Sequence, residues 1–244
     1  MNYDSYSHIS RTDSLQLRQW ARGCFAKPLR EQGFVCYPGA DTSWYRLVDG
    51  QLLQSVYLYG VVSKQATNVK IGYGMHPLFI EAPLPQRLQV QDWIDSEIMT
   101  QIHFFPPLTA VEEYGGLMLP LTPQRGAEKL REFIFPLFEQ SKTVEKAYAW
   151  YKARYLAMET AVRSYATPEF IDWAIYMDDR KLYPMCLRAL EQKKEPLAPE
   201  CAEKRAAQIE AMRNGLRDEY VKRLEAEKAE NAKRLRKILE TSAP

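Results

Sequence analysis

The chain has 244 residues, 46% of them hydrophobic and 26% charged, with 33 Lys and Arg against 31 Asp and Glu. These proportions support a packed core and exclude a largely disordered chain. A formal net charge of +2 is too small for a strong polyanion-binding field over the whole molecule. No apolar run approaches the roughly 20 residues of a membrane span. The opening MNYDSYSHISRTDS lacks the basic and apolar regions of a signal peptide. The expectation is a cytoplasmic protein with no membrane partner.

Residues 1–12 are polar. Thr12, Asp13 or Ser14 suits a helix N-cap, and Leu15, Leu17, Trp20, Ala21, Cys24, Phe25 and Leu29 recur near the 3.6 period of an amphipathic helix. Pro28 predicts a kink in its last turn, and Gly33 a left-handed stop. The period then changes. Phe34 to Tyr37 reads as a short strand, Ser43 to Val48 as a second and Leu52 to Val62 as a third, with Asp49-Gly50 a hairpin signal between the last two. Thr67 to Met75 is the clearest strand. Thr67, Val69, Ile71, Tyr73 and Met75 share one face, and Asn68, Lys70, Gly72, Gly74 and His76 the other. The first face should be core, and the second open or covered by something polar. Short loops imply an antiparallel meander.

Seven prolines break up residues 77–125. A short helix over Gln91 to Ile102 and a last strand over Leu117 to Leu121 are the expected elements there. From Thr122 the chain turns helical. The spacing predicts helices over residues 124–140 with a kink at Pro136, over Thr143 to Tyr165, from Thr167-Pro168 through Met177, and over Leu182 to Leu190. KKEPLAP, residues 193–199, is a break. Glu200 to Glu240 then predicts one helix of about forty residues. Ile209, Met212, Leu216, Tyr220 and Leu224 form its apolar stripe, which must find a surface. Its first half should dock on the molecule, while residues 225–240 project. Three parts follow: an α+β sheet domain over 1–125, a helical bundle packed on it over 126–192, and a long charged C-terminal helix over 200–240. The fold class is α+β: an antiparallel β-meander with an N-terminal helix packed on it, then a helical half ending in a long helix.

Few chemistries find support. The cysteines Cys24, Cys36, Cys186 and Cys201 form no C-x-x-C, and His8, His76 and His103 are far apart, so neither a metal site nor any cofactor is expected. Nucleophile elbow, P-loop, H-E-x-x-H and dinucleotide fingerprints are all missing. Gly72-Tyr73-Gly74 sits inside a strand, where it marks close approach to the sheet rather than a phosphate loop. Acidic pairs such as Asp178-Asp179 lack a neighbouring base and suggest surface charge.

Residues 25–75 carry a resemblance. Phe25-x-x-x-Leu29, Gly33-Phe34, Trp44-Tyr45-Arg46, Gln54-Ser55-Val56 and the strand ending Ile71-Gly72 resemble an uncharacterised bacterial family, domain of unknown function 4304. The similarity extends over roughly residues 13–160, departing at Tyr57-Leu58-Tyr59, where a more polar continuation is the pattern. It implies an α+β domain and supplies no catalytic residue.

Two function classes follow. The first is a non-enzymatic protein-binding or adaptor protein, toxin-neutralising being one form. Seven basic and three acidic residues lie between Lys222 and Lys237, and Lys228, Lys233, Arg234 and Lys237 are its candidate partner-binding residues. The second is a small-molecule-binding module or enzyme using a polar sheet face around Arg46, Lys70 and His76. Binding to a protein is favoured, and nucleic-acid binding rests only on the basic end of the last helix.

Overall fold

The computed structural model describes residues 19, 22–23, 25–36, 43–62, 67–80, 108–109, 127–128, 130–157, 168–192 and 199–241. The helix expected over Gln91 to Ile102, the strand over Leu117 to Leu121 and the KKEPLAP break through Ala198 lie outside them.

Helix α1, Ala26–Glu31, leads into the sheet. Pro28 lies in its first turn, where a missing N–H has no partner to lose, so no kink is needed. Gly33 ends it at φ +76°: its N–H bonds the Arg30 carbonyl and the Phe34 N–H that of Leu29, a Schellman closure. The sheet follows as β1 Val35–Cys36, β2 Ser43–Val48, β3 Leu52–Val62, β4 Thr67–Pro77 and β5 Leu108–Thr109. It is antiparallel throughout, in the order β1-β2-β3-β4-β5. Asp49 and Gly50, at φ 50° and 66°, turn β2 into β3.

The helical half contains α2 Phe135–Gln140, α3 Val144–Ala157, α4 Pro168–Tyr176, α5 Tyr183–Gln192, α6 Pro199–Arg213 and α7 Arg217–Thr241. A π-turn over Leu130–Ile134 precedes α2. Pro136 offers no N–H to the turn behind it and its ring crowds the carbonyl four residues back, so the helix widens there. The forty-residue helix expected over 200–240 is two helices. Asn214-Gly215 breaks it, with Gly215 at φ +72°, and Asp218 and Glu219 start α7 where the helix dipole favours acids.

Register fixes two sheet faces. Trp44, Val56 and Tyr73 are cross-strand partners, and with Leu52 and Met75 they face the main core. That core also takes Phe25, Leu29, Phe34, Ile134, Phe138, Tyr148, Phe170, Ile175 and Leu224, so one apolar cluster runs through all three parts of the chain. Helix α4 is buried on every side from Phe170 to Ile175 and forms its centre. The opposite face carries Tyr45, Leu53 and His76. It is covered by the far end of α7: Leu235 is 3% exposed and packs with Tyr45, Leu53 and Leu78. Asn231 is 1% exposed, and its Nδ2 donates to the Leu78 carbonyl at 2.8 Å. The expectation that residues 225–240 project is therefore overturned. The apolar stripe resumes at Ala232 and Leu235, which lie across the back of the sheet, an apolar surface whose burial outweighs exposure.

Candidate functional site

Arg46 does not share a face with His76. It pairs with Gln54 and Met75 in the ladder, on the main-core side, whereas His76 pairs with Leu53 on the back. Lys70 pairs with Tyr59 and Thr109, and its side chain lies outside the described residues. No common polar face around Arg46 and His76 exists, because alternation along β2 and β4 separates them.

Arg46 is committed internally. Its Nε and Nη2 donate to Gln54 Oε1 at 3.0 and 2.7 Å, and Nη1 donates to the Gln32 carbonyl at 2.8 Å. The guanidinium lies 4.8 Å from the Phe34 ring centroid and 3.5 Å from Glu139. Gln54, fully buried, donates through Nε2 to the Phe138 carbonyl at 3.1 Å. The fork thus joins the end of α1, two strands and the end of α2, a bidentate use for which lysine has no equivalent. Burial pulls the Arg46 pKa down, against the pull of Glu139.

His76 is 5% exposed, and its Nε2 has no hydrogen-bond partner among the described residues. Burial brings its pKa down to about 4; a hydrogen bond to the Ile80 backbone opposes this and the Lys204 charge adds to it. It is neutral near pH 7. Next to this region, α4, α6 and α7 meet at Asp172, which has no exposed surface. Gln208 Nε2 donates to Asp172 Oδ1 at 2.7 Å, the Tyr220 hydroxyl donates to the same oxygen at 2.6 Å, and Lys204 Nζ lies 3.0 Å from Oδ2. Burial first, then the Asp172 charge, pushes the Tyr220 phenol upward, so it is a donor and not a base. A buried carboxylate held by two hydrogen bonds and an ion pair ties three helices together. Its signal in the sequence is one acid inside the apolar run Phe170 to Ile175.

A second ionic cluster lies at the turn from α4 to α5. Tyr148 and Lys152, one turn apart on α3, both reach Asp179; the phenol donates at 2.9 Å, and its pKa is raised by burial and by that carboxylate. Cys186 nearby is pushed up to about 12, chiefly by burial, which leaves the thiol protonated. Neither cluster offers a poised nucleophile. No three His, Cys, Asp or Glu among the described residues form a metal-holding group, and none of their helices is long and apolar enough to cross a membrane.

The C-terminal basic residues divide. The Lys228 side chain is 19% exposed and is held inward, on Glu225 and on the Tyr176 hydroxyl at 3.2 Å. Tyr176 in turn stacks on Phe79, with centroids 3.9 Å apart. Arg234 pairs with Glu230 one turn back at 2.8 Å. Lys233 and Lys237 are exposed, as are Lys222, Arg223 and Arg236. Arg217, missed by the pattern, donates to the Ile175 and Tyr176 carbonyls at 3.0 and 2.8 Å and closes the end of α4. Comparison with protein-family models, curated proteins and solved structures finds no match.

Proposed function

We propose that the chain is a protein-binding adaptor that acts without turnover, and that the solvent face of α7 is its contact surface. The observation that carries this is how α7 is held. Tyr220, Leu224, Asn231 and Leu235 fix its inner side to α4 and the sheet. Its outer side presents Asp218, Glu219, Lys222, Arg223, Lys233 and Lys237 to solvent, while the Arg236 guanidinium lies over the Gly50 turn. A partner meeting a helix already fixed along its length loses little to ordering.

Both signs of charge share this face. Asp218, Glu219, Glu230 and Glu240 interrupt the basic positions. A phosphate backbone favours an unbroken positive strip, so the mixture favours a protein partner over nucleic acid. Toxin neutralisation is one form such a role takes. The free thiols of Cys186 and Cys201 suit a reducing, cytoplasmic setting.

Affinity capture with tagged wild-type protein and with the Lys222→Glu/Lys233→Glu variant, both changes at exposed positions of that face, tests the proposal. Proteins retained by the wild type should be lost from the variant at an unchanged melting temperature. Identical capture by the two would remove α7 as the contact surface.

A further inference from the structure

We infer that Asn214 is a site of spontaneous modification: the Gly215 backbone nitrogen displaces its side-chain amide, and the turn between α6 and α7 gains a carboxylate as the protein ages. Nothing in this depends on what α7 binds.

The sequence singles the position out. Of the four asparagines, Asn2, Asn68, Asn214 and Asn231, only Asn214 precedes a glycine. The following residue matters because its backbone nitrogen must reach the asparagine Cγ, and a side chain there crowds the approach. Gly215 has none, and a methyl group built on it would meet nothing within 4 Å. Asn68 precedes the branched Val69 inside β4. Asn231 is buried inside α7, with its amide on the Leu78 carbonyl.

Both the attacking and the attacked group are accessible. Asn214 and Gly215 are exposed and lie between Arg213, the last residue of α6, and Arg217, the first of α7. Inside a helix the glycine N–H would be tied to the carbonyl of the preceding turn. Here it makes no backbone hydrogen bond among the described residues, whereas the N–H of Gly33, at another left-handed helix end, is held by the Arg30 carbonyl. The Asn214 N–H stays on the Glu210 carbonyl at 2.9 Å, and its Nδ2 donates to the Glu210 carboxylate. Asn214 is thus anchored behind the bond to be made and open ahead of it.

The chemistry needs only water. The Gly215 nitrogen loses its proton to solvent and attacks Cγ of Asn214. A nitrogen–Cγ bond closes a cyclic imide, the Cγ–Nδ2 bond breaks, and the amide nitrogen takes up a proton and leaves as ammonia. Water then opens the ring. Cleavage of the new bond gives aspartate; cleavage of the original peptide bond gives isoaspartate, in which the chain runs on through Cγ. The sum converts amide and water into carboxylate and ammonium. Either product sets a negative charge beside Glu210, at the end of α6 where the helix dipole opposes it. Isoaspartate also lengthens the main chain. The strain falls on the first turn of α7, which is held by Arg217 on the Ile175 and Tyr176 carbonyls and by Tyr220 on Asp172.

Peptide mapping by mass spectrometry tests the inference, on the purified full chain incubated at physiological temperature and pH. A free peptide with the sequence of residues 208–220 is the reference. Asn214 in the folded chain should convert at a rate within about tenfold of the peptide, with isoaspartate the major product. The rate should rise with pH, because the attacking nitrogen must first lose its proton. Asn68 and Asn231 should stay intact. Gly215→Ala should slow conversion by more than about tenfold, and Asn214→Gln should remain a single species on isoelectric focusing. Aged wild type should exchange amide hydrogens faster over residues 216–220 than aged Asn214→Gln, with circular dichroism showing both folded. Conversion slower than the peptide by more than about tenfold would show that the turn shields the amide, and would overturn the inference. Acidic species accumulating in Asn214→Gln at the wild-type rate would place the modification elsewhere and overturn it equally.

Discussion

At position 76 an imidazole is held neutral beneath the last helix, and this gives the fold a pH dependence. The unfolded chain takes up a proton near pH 6.5 and the folded one only near pH 4, so folding excludes a proton between these values. Stability from this group is full above pH 6.5 and is lost as pH falls toward 4, by about 3 kcal/mol in all. Glu139 and Asp178, whose pKa values are lowered by Lys142 and Arg180 respectively, lose their contribution below the usual carboxylate range, which leaves roughly pH 5–6.5 to His76. Urea melts from about pH 7 to 5 should show the decline, and His76→Phe should flatten it. The fold relies more heavily on Asp172 as a structural link. Asp172→Ala leaves Lys204, Gln208 and Tyr220 facing an uncompensated gap and should cost about 3–5 kcal/mol in the same melts. Arg46→Lys keeps the charge but loses the fork to Gln54 and Gln32. A loss of about 1–3 kcal/mol is expected by denaturant titration.

At the scale of elements, the break between α6 and α7 depends on one residue. A methyl group at Gly215 would meet open space, but the backbone there has a φ of +72°. Gly215→Ala should therefore cost only the left-handed backbone, about 1 kcal/mol in a thermal melt. Deleting residues 226–244 exposes Tyr45, Leu53 and Leu78 and leaves the Leu78 carbonyl without Asn231. The melting temperature should drop by well over about 5 °C, the shift that about 2–3 kcal/mol produces in a chain of this size. Much of the fold was legible in the residues. Ser43 to Val48 and Leu52 to Val62 matched β2 and β3 end for end, because runs rich in aromatic and β-branched residues joined by an Asp-Gly turn leave few alternatives. Alternation in β4 correctly put Tyr73 and Met75 inward. What covers the other face was not legible. That depends on a helix far downstream in the chain, and its charged outer positions outnumber the two or three side chains that anchor it. The break at Asn214-Gly215 was a readable turn signal hidden by helix-forming residues on both sides. Neither the Arg46 fork nor the Asp172 knot follows from spacing, since each joins residues brought together only by the tertiary fold.

For the whole molecule, the sheet over residues 44–56 and 73–78 lies between unlike layers. One face meets the aromatic core, to which helices α1 to α7 all contribute, and the other meets the far end of α7. Because one apolar cluster runs from Phe25 to Leu224, the described parts should unfold together. Tryptophan fluorescence and far-ultraviolet circular dichroism should give the same urea midpoint, and two separated transitions would show that the helical half is an independent domain.

The clasp between Asn231 and Leu78 joins residues 153 positions apart. On a ribosome moving at about 5–20 residues per second, roughly 8–30 seconds separate the synthesis of the two. Throughout that interval the back of the nascent sheet, with Tyr45 and Leu53, lacks the helix that covers it. The vulnerable stage in the life of this protein is therefore its birth, and a stalled or prematurely terminated chain would present a sticky strand surface to chaperones and neighbouring chains.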